Sequence, residues 1–502
     1  MQLILVLLTA SIALEILVHS ALLWKHTITR LLLSGLAMCL ATFCSGALLA
    51  LSFSWATVLL AVVSMYRLIN GLRIFENRMN LQYMDRVTLR SSVVFGCMQL
   101  LICAAWWVTS SGYISMNTWG LIAIILQLGA GTLLLSSVIR TFRRTKLTRQ
   151  ELALTTNEAP TVTVAIPARN ETDDLYECLQ SLLSNEYPKL EVLVLDDCSQ
   201  LKRTPEIIRD FAHKGVRFVK GDLPKENWLA KNQAYDKLLR EANGEIMLFC
   251  GVDMRFRPDT IRQIVVTMLA RKKRMLCVLP LRHNSDKPQL SLIQASRYFW
   301  ELAPPRRFFN RPPVLSSCWA IYRKDMLKRG GFAAVARSIM PEAYFAKQMI
   351  QTDKYSFMRA NADLPVYSAK SLERQRDTAV RVRYPQLRKR PETVLFVSFI
   401  GVVCFVLPYA FAVLSLAGLL PLYYLFITVV AISLLTAAYC VVAIGTKVNS
   451  WYIAPFYFLP VILIDIALIH YSLYKYEFSE VIWKGRNICI PVMHVIPSLP
   501  KV

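Results

Sequence analysis

The sequence lacks the spaced cysteines and histidines of a structural metal site. Its 12 cysteines include no CxxC pair, and its six histidines are scattered without ligand spacing. These features argue against a disulfide framework and against a structural zinc site. A GxGxxG motif is also missing, so the sequence has no dinucleotide-binding fingerprint. Carboxylates stand at the ends of the predicted strands instead, and they are the candidates for a functional site.

Charged residues are also scarce, and most of them lie in the middle of the chain. Hydrophobic residues make up 55% of the 502 residues and charged residues only 18%, and the mean hydropathy of +0.39 is too high for an ordinary soluble protein of this size. At about 20 residues per membrane helix, residues 1–139 predict a transmembrane region of roughly four or five helices, and residues 394–475 predict a second transmembrane region. Residues 140–393 then form a soluble domain, and residues 476–502 form a tail.

Both transmembrane regions leave alternatives open. The uncharged run 31–66 predicts either a hairpin that turns near residues 52–54 or one helix followed by an interfacial segment. Glu15 and His19 interrupt the first helix and no cleavage site follows, which favours a retained helix over a signal peptide. After the soluble domain, three crossings would leave the tail outside and two or four would leave it inside; its basic residues favour the inside. These residues are Lys475, Lys484, Arg486 and Lys501.

The net charge of +24 does not predict nucleic-acid binding. Basic residues cluster beside the apolar segments, and one such cluster opens the soluble domain. It consists of Arg140, Arg143, Arg144, Lys146 and Arg149. Clusters of this kind mark cytoplasmic loops and contact anionic lipid headgroups. We therefore expect an integral protein of the inner (plasma) membrane, with its soluble domain in the cytoplasm and no nucleic-acid partner.

The soluble domain alternates predicted strands and helices. Residues 163–171 predict a strand that Pro167 ends, and a helix at about 174–183 and a strand at 192–199 follow. A helix at 231–241 and an apolar strand at 246–250 repeat the order. This pattern is typical of a parallel, Rossmann-like sheet, where ligands bind past the carboxyl ends of strands. Asp253 follows the last strand, where its carboxylate either binds Mg²⁺ or Mn²⁺ or only caps a turn.

Two motifs at these strand ends resemble the P-x-x-N-E and DDGS motifs of family 2 glycosyltransferases. The matching residues are Pro167, Arg169, Asn170 and Glu171, and then Asp196, Asp197, Cys198 and Ser199. With the flanking helices, they resemble a membrane-embedded branch that includes ceramide glucosyltransferase, hopanoid-associated glycosyltransferases and, more distantly, cellulose and hyaluronan synthases. The resemblance implies an α/β, Rossmann-like A-type domain inserted between N-terminal and C-terminal transmembrane helix bundles. It also implies that Pro167, Arg169, Glu171 and Asp197 hold the uracil and ribose of a UDP-sugar.

Two further motifs concern the diphosphate of the donor. NWLAK resembles a W-x-G-K signature, which implies that Lys231 faces the diphosphate; a lysine on a solvated helix face is the alternative. The DxD motif of the family falls on residues 251–253, where Gly251 replaces the first carboxylate. Asp253 is then left to hold Mg²⁺ or Mn²⁺ together with the phosphates, unless catalysis has been lost.

The last two motifs lie after the predicted sheet. QxxRW corresponds to residues 380–384, where Arg383 and Tyr384 are implied to bind the donor; anchoring of Arg383 at lipid headgroups is the alternative. Val380 replaces the glutamine of this motif. Residues 479–488, SEVIWKGRNI, are similar to the W-x-G-R tail that often follows the last helix of these enzymes.

The acceptor side of the resemblance lies in residues 315–349. Ser317, Cys318 and Trp319 are implied to lie against the donor sugar and the acceptor. Glu342 stands at the position of the catalytic carboxylate and is implied to be the general base. The alternative is a glutamate that only stabilises a helix N-terminus after Pro341.

Taken together, the resemblance implies an inverting glycosyltransferase that moves a sugar from a UDP-sugar to a membrane lipid at the cytoplasmic face. A processive polysaccharide synthase is an alternative, but Val380 cannot hydrogen-bond a growing chain. A non-catalytic, glycosyltransferase-like subunit of a polysaccharide assembly complex is the other alternative, since Gly251, Pro341 and Val380 depart from three motifs at once.

Overall fold

The structure is a computed structural model that describes residues 2–20, 27–76, 81–146, 156–282, 288–304, 312–448 and 451–488. Arg149, Lys501 and the tail beyond residue 488 lie outside the described residues. The helices are α1 Gln2–His19, α2 Thr27–Leu51, α3 Trp55–Glu76, α4 Leu81–Ser110, α5 Met116–Thr145, α6 Asp173–Leu183, α7 Arg203–Ala212, α8 Ala230–Glu241, α9 Thr260–Ala270, α10 Pro288–Leu302, α11 Arg323–Lys328, α12 Pro341–Gln351, α13 Leu372–Gln386, α14 Pro391–Gly401, α15 Leu407–Leu416, α16 Leu422–Gly445 and α17 Ala454–Phe478. The strands are β1 Val162–Ala168, β2 Leu190–Asp196, β3 Val216–Lys220, β4 Ile246–Cys250, β5 Met254–Phe256, β6 Met275–Leu279, β7 Leu281–Arg282, β8 Cys318–Tyr322, β9 Tyr355–Arg359, β10 Val366–Ser368, β11 Ile482–Trp483 and β12 Arg486–Asn487.

The chain folds as two compact units. One contains the sheet and comprises residues 128–382, 429–465 and 480–502. The other is helical and comprises residues 1–127, 383–428 and 466–479.

A seven-stranded sheet organises the first unit, with the order β3-β2-β1-β4-β8-β6-β9 among the described residues. Strands β1 to β4 are parallel, and β8 runs antiparallel between β4 and β6. All five residues of β4 are buried, because helices cover both faces of such a sheet. The structure thus confirms the predicted Rossmann-like sheet, and the strand at 246–250 has the predicted bounds.

Pro167 does not end the first strand, contrary to the sequence prediction. Strand β1 continues to Ala168, and Pro167 lies opposite Leu195 of β2. On its other side, β1 pairs with β4 only as far as Ala165 and Phe249. The missing N–H of Pro167 therefore removes no ladder hydrogen bond, since proline is tolerated where pairing has ended.

The two faces of the sheet carry different packing. On one face, α6 buries Leu175, Cys178, Leu179 and Leu182, whose spacing of three and four residues defines one side of a helix. On the other face, an aromatic cluster joins the sheet to its helices. Its members are Tyr235, Phe249, Trp319, Phe332 and Phe345.

In the helical unit, α2 and α3 resolve one of the alternatives left open by the sequence. Helix α2 ends at Leu51 and α3 begins at Trp55, so the uncharged run forms a helical hairpin that turns at residues 52–54. Ser54 and Thr57 cap the start of α3, since the backbone N–H of each donates to the hydroxyl of the other at 3.0 and 3.3 Å.

A buried polar network ties α1 to α3 and α4 in the same unit. The Arg67 guanidinium donates to Glu15 at 2.7 Å, to Gln99 at 3.0 Å and to Ser11 at 3.1 Å. Ser92 donates to the second oxygen of Glu15 at 2.7 Å. Glu15, one of the residues that interrupt the apolar pattern of α1, is therefore paired inside the helical unit, as polar residues in apolar helices usually are.

Seven helical segments are long and apolar enough to cross a membrane by length and composition, within the described part of the chain. Four precede the sheet: Ile28–Leu51, Trp55–Leu72, Thr88–Ser110 and Met116–Thr145. Three follow it: Pro391–Leu416, Leu422–Gly445 and Trp451–Phe478. Helix α1 contributes a shorter apolar segment, Leu3–His19.

Candidate active site

The candidate site lies at the edge of the sheet where β1, β2 and β4 end. Because these strands are parallel neighbours, the residues that follow them, Glu171, Asp197 and Asp253, are brought to one edge. Strand β8 is antiparallel to β4 and begins at the same edge, where the backbone N–H of Gly251 donates to the carbonyl of Ser317 at 3.0 Å. Three predicted carboxylates and the predicted acceptor segment therefore converge there.

Arg169 ties together the loops that follow β1 and β2. Its Nη1 donates to the carbonyls of Asp197 at 2.7 Å and Cys198 at 2.6 Å, and its Nε donates to the carbonyl of Lys484 at 2.9 Å. The residue is only 6% exposed. The structure thus shows Arg169 holding loop backbone through its Nε and Nη1 atoms, and its contact with the donor stays a prediction.

Glu171 and Asp197 are buried and paired with basic residues of the tail. The Lys484 ammonium donates to Glu171 Oε1, and Arg486 Nη1 donates to Asp197 Oδ2 at 2.6 Å. Burial raises the pKa of Asp197, while the hydrogen bond and the charge of Arg486 oppose the rise. Burial also lowers the pKa of Lys484 to about 8, and the nearby charge of Arg169 adds to this effect.

Asp253 is held just before β5 in the small sheet β5-β10-β7. Its carbonyl accepts from the N–H of Ala369 at 2.8 Å, and its Oδ2 lies 3.5 Å from the Ser368 hydroxyl. A Cβ on Gly251 would lie 2.5 Å from Asp253 Oδ1, so the carboxylate folds over the position of the missing acid. No group of three or more His, Cys, Asp or Glu side chains suited to a metal occurs among the described residues. The residues present fit a divalent cation only as a one-carboxylate site completed by donor phosphates and water.

Two lysines lie near Asp253. Burial lowers the pKa of Lys231 to about 8; Glu342 and Asp253 oppose the fall and Arg381 and Arg297 add to it. Burial likewise lowers the pKa of Lys370 to about 7, again opposed by Asp253. Ammonium groups with depressed pKa values are placed to gain from a bound anion such as a diphosphate.

Glu342 lies in the first turn of α12, after Pro341, and is 2% exposed. Asn232 fixes the chain that enters this helix, because its amide donates to the carbonyls of Val335, Ala336 and Ser338 at 2.9, 3.0 and 2.8 Å. Since Asn232 directly follows Lys231 at the start of α8, the same contacts hold the Lys231 and Glu342 segments together.

The structure corrects the expectation that Cys318 and Trp319 face the donor sugar and the acceptor. Both lie in β8 with 0% and 1% exposure. The indole of Trp319 stacks on Phe249 at 4.4 Å, and on Phe345 at 6.2 Å, because Phe249 and Trp319 are register partners. Ser317 precedes the strand and remains partly exposed at the site edge.

Arg383 and Tyr384 belong to the helical unit. Tyr384 is buried there; its hydroxyl donates to the Glu477 carboxylate, and its backbone N–H donates to the Ser472 hydroxyl at 3.1 Å. In the sheet-containing unit, the Arg381 guanidinium lies 5.0 Å from the centre of the Trp483 ring.

The sequence analysis assigned no role in the site to four of its basic and polar residues. They are Asn232, Lys370, Arg381 and Arg486. Asn232 and Arg381 stand beside residues that the motifs singled out, and Arg486 lies in the W-x-G-R tail, so sequence proximity was the available signal. Lys370 belongs to no motif and only the fold reveals it.

Comparison with known proteins identifies the domain type. Residues 163–331 match the family model for glycosyl transferase family 2. Glycosyltransferase AglE of Haloferax volcanii is 33% identical over 102 residues, which is 20% of this chain and 32% of that protein. Probable glycosyltransferase YdaM of Bacillus subtilis is 27% identical over 184 residues, 35% of this chain and 43% of that protein. The chain thus spans less than half the length of these curated relatives.

The chain also has a similarity to a solved structure. The mannosyltransferase PcManGT from Pyrobaculum calidifontis, in complex with GDP-Man and Mn²⁺, is 19% identical with a TM-score of 0.44, and the match covers 68% of this chain and 98% of that chain. Residues 163–331 thus match the family whose motifs the strand ends resemble.

Proposed function

We propose that the protein is an inverting glycosyltransferase that moves one sugar from a UDP-sugar to a membrane lipid at the cytoplasmic face. The observation that carries this proposal is the joint placement of Asp253, Lys231 and Glu342. The two carboxylates are the groups that act electrostatically on Lys231 to hold up its pKa. A carboxylate base and a cation for the leaving group within one site are what transfer from a sugar diphosphate requires.

Donor recognition follows from the ends of β1 and β2. The carboxylates of Glu171 and Asp197 accept hydrogen bonds from the ribose hydroxyls and the uracil imide, with Pro167 and Arg169 shaping the loop around them. A donor contact of Arg383 and Tyr384, which belong to the helical unit, stays a prediction that rests on their motif positions.

The diphosphate is assigned to the cationic part of the site. Lys231 and Lys370 neutralise it, and Asp253 would hold Mg²⁺ or Mn²⁺ once the phosphates supply further oxygens. A bound metal ion would stabilise the negative charge that develops on the departing diphosphate.

The chemical step uses Glu342 as the base. Its carboxylate removes the proton from the acceptor hydroxyl as the oxygen attacks the anomeric carbon of the sugar. The bond to the new oxygen forms on the face opposite the bond to the diphosphate, which breaks with its electron pair and leaves as UDP. The anomeric configuration is therefore inverted, and Ser317 lies at the edge on the acceptor side.

A lipid acceptor and a single addition are favoured by the residues around the site. Val380 has no hydrogen-bonding group for a glycan chain, and a polymer channel at membrane depth needs polar groups along its length. Helix α17 offers Asp465 and His470, but Asp465 already accepts from the indole N–H of Trp300 at 2.6 Å. The membrane-embedded, lipid-glycosylating branch of the family is therefore the proposed relationship.

The tail also bears on membrane topology. Lys484 and Arg486 contact Glu171 and Asp197, which favours a position of residues 484–486 on the same side of the membrane as the sheet. A chain that returns to its starting side crosses the membrane an even number of times. Three apolar helical segments, an odd number, lie between the sheet and the tail. We therefore infer that one of these three segments does not cross.

Release of UDP from purified full-length protein tests the proposal, with a panel of UDP-sugars and membrane lipids. We expect release with at least one donor and lipid, and a strong loss in Glu342→Gln. Glu245→Gln is the matched control, because Glu245 is exposed at the opposite, amino end of β4. A protein that releases no UDP with any donor would instead support a non-catalytic subunit.

A further inference from the structure

Residues 482–487 of the tail form a short β-hairpin that carries two basic side chains. Strands β11 and β12 pair Ile482 with Asn487 and Trp483 with Arg486. The two turn residues, Lys484 and Gly485, have φ angles of 48° and 77°, the pattern of a type I′ turn that suits tight hairpins. Lys484 therefore stands at the tip, and Arg486 follows on the second strand.

Both basic side chains are paired with Glu171 and Asp197, the carboxylates that are proposed to bind the ribose and uracil. The Lys484 ammonium contacts Glu171 Oε1. Arg486 donates to Asp197 twice, to Oδ2 at 2.6 Å and to the backbone carbonyl at 3.2 Å. With the hairpin in place, the side chains of Glu171 and Asp197 are only 4% and 6% exposed. Neither carboxylate is therefore open to a ligand in this arrangement.

The hairpin also reaches towards the cationic part of the site. The ring of Trp483 lies 5.0 Å from the Arg381 guanidinium, and the charge of Arg381 acts on Lys231 and Lys370. One hairpin thus contacts residues from the nucleoside end and from the diphosphate end of the candidate donor site.

Polar contacts fix the hairpin on the sheet, and Val481 and Ile488 at its two ends are buried as well. The hairpin has two register pairs, and isolated two-stranded hairpins are marginally stable in water. The Arg169 Nε bond to the Lys484 carbonyl at 2.9 Å and the ion pairs with Glu171 and Asp197 supply the contacts that fix it on the sheet. A ligand that takes over the two carboxylates removes much of what holds the hairpin in place.

We propose that residues 481–488 act as an internal competitor of the donor, an inference that rests on the proposed function. Lys484 and Arg486 cover the carboxylates that the ribose and uracil must reach, so the site is closed until a donor displaces the hairpin. Removing the two basic groups while keeping the turn then exposes the carboxylates and strengthens nucleotide binding.

The test compares UDP affinity of full-length wild-type protein with the double variant Lys484→Asn and Arg486→Gln by calorimetry in detergent. Asparagine tolerates the positive φ of the turn, so the hairpin can still form. We expect UDP to bind about tenfold or more tightly to the variant, since two charged hydrogen-bonded pairs no longer compete. The control pair Lys237→Asn and Arg203→Gln removes the same charges from exposed ion pairs and should leave affinity unchanged.

Hydrogen exchange of the hairpin provides a second measurement on the wild-type protein. The N–H of Ile488 donates to the carbonyl of Val481 at 2.9 Å, and UDP should raise the exchange of peptides that cover residues 481–488. UDP binding of equal or lower affinity in a folded double variant, or slower exchange on UDP addition, overturns the competitor role while leaving the proposed function standing. Absence of UDP binding in both proteins overturns both, because removal of the competitor should have revealed the site.

Discussion

Lys231 should give donor binding a defined dependence on pH. Its pKa is lowered to about 8 in the ligand-free protein, and only the protonated form carries the charge that binds a diphosphate. At pH 7 roughly nine-tenths of the molecules carry this charge, and at pH 9 roughly one-tenth do. Affinity for a UDP-sugar should therefore weaken by up to about tenfold between these pH values if binding requires the ammonium. A UDP-sugar suits the assay because its diphosphate does not titrate in this range.

Two variants separate this effect from other titrations. Lys231→Arg keeps the positive charge through pH 9, so its affinity should lose this step while remaining measurable. Lys231→Met should bind weakly at both pH values. Lys370, with a pKa lowered to about 7, should add a separate step at lower pH that both variants retain. Because the pKa of Lys484 is also lowered to about 8 and loss of its charge would favour the donor, the curves are measured in the Lys484→Asn background, by calorimetry from pH 6 to 9 with metal chelated. An affinity that stays constant between pH 7 and 9 in that background would refute the reasoning.

The site carboxylates and the helical network give three further predictions. Glu342→Gln should retain UDP binding, weakened only as far as the pKa of Lys231 falls without the Glu342 charge, and should lower turnover about 100-fold or more; a near-normal rate would mean that another group is the base. Mn²⁺ should bind weakly to the free protein and more tightly with UDP, and Asp253→Asn should abolish the gain; if the gain persists by calorimetry, Asp253 is not the ligand. Arg67→Met should lower the free energy of unfolding by about 3–5 kcal/mol, because it leaves the buried Glu15 carboxylate without its cationic partner, and Glu15→Gln in the same protein should recover part of the loss in a thermal denaturation series.

Local sequence patterns predicted strands β1, β2 and β4 and the acidic residues that follow them. The run at 246–250 is apolar throughout, which indicates a strand covered on both faces, and β4 has those bounds. The acids after β1, β2 and β4 could be placed at one edge because parallel strands share a direction. The position of these three acids, Glu171, Asp197 and Asp253, could therefore be predicted from the strand order alone.

The tertiary contacts of the site could not be predicted in this way. The Asp197 and Arg486 pair joins residues 289 positions apart, and no periodicity in either segment encodes that contact. For Trp319 the sequence predicted a contact that the structure does not show. Its motif position suggested a ligand contact, but its register opposite Phe249 places it in the aromatic core. Side-chain direction in a strand depends on register, which a one-residue shift reverses.

Transfer of a single sugar from a UDP-sugar to a membrane lipid can be measured in a reconstituted system. The full-length protein is combined with a membrane lipid extract, UDP-sugars are added one at a time, and the lipids are followed by mass spectrometry. We expect a lipid species heavier by one sugar residue, formed by the wild-type protein and by Glu245→Gln but strongly reduced with Glu342→Gln. A high-molecular-weight glycan formed from protein and donor alone, or unmodified lipids with every donor, would contradict the proposed activity.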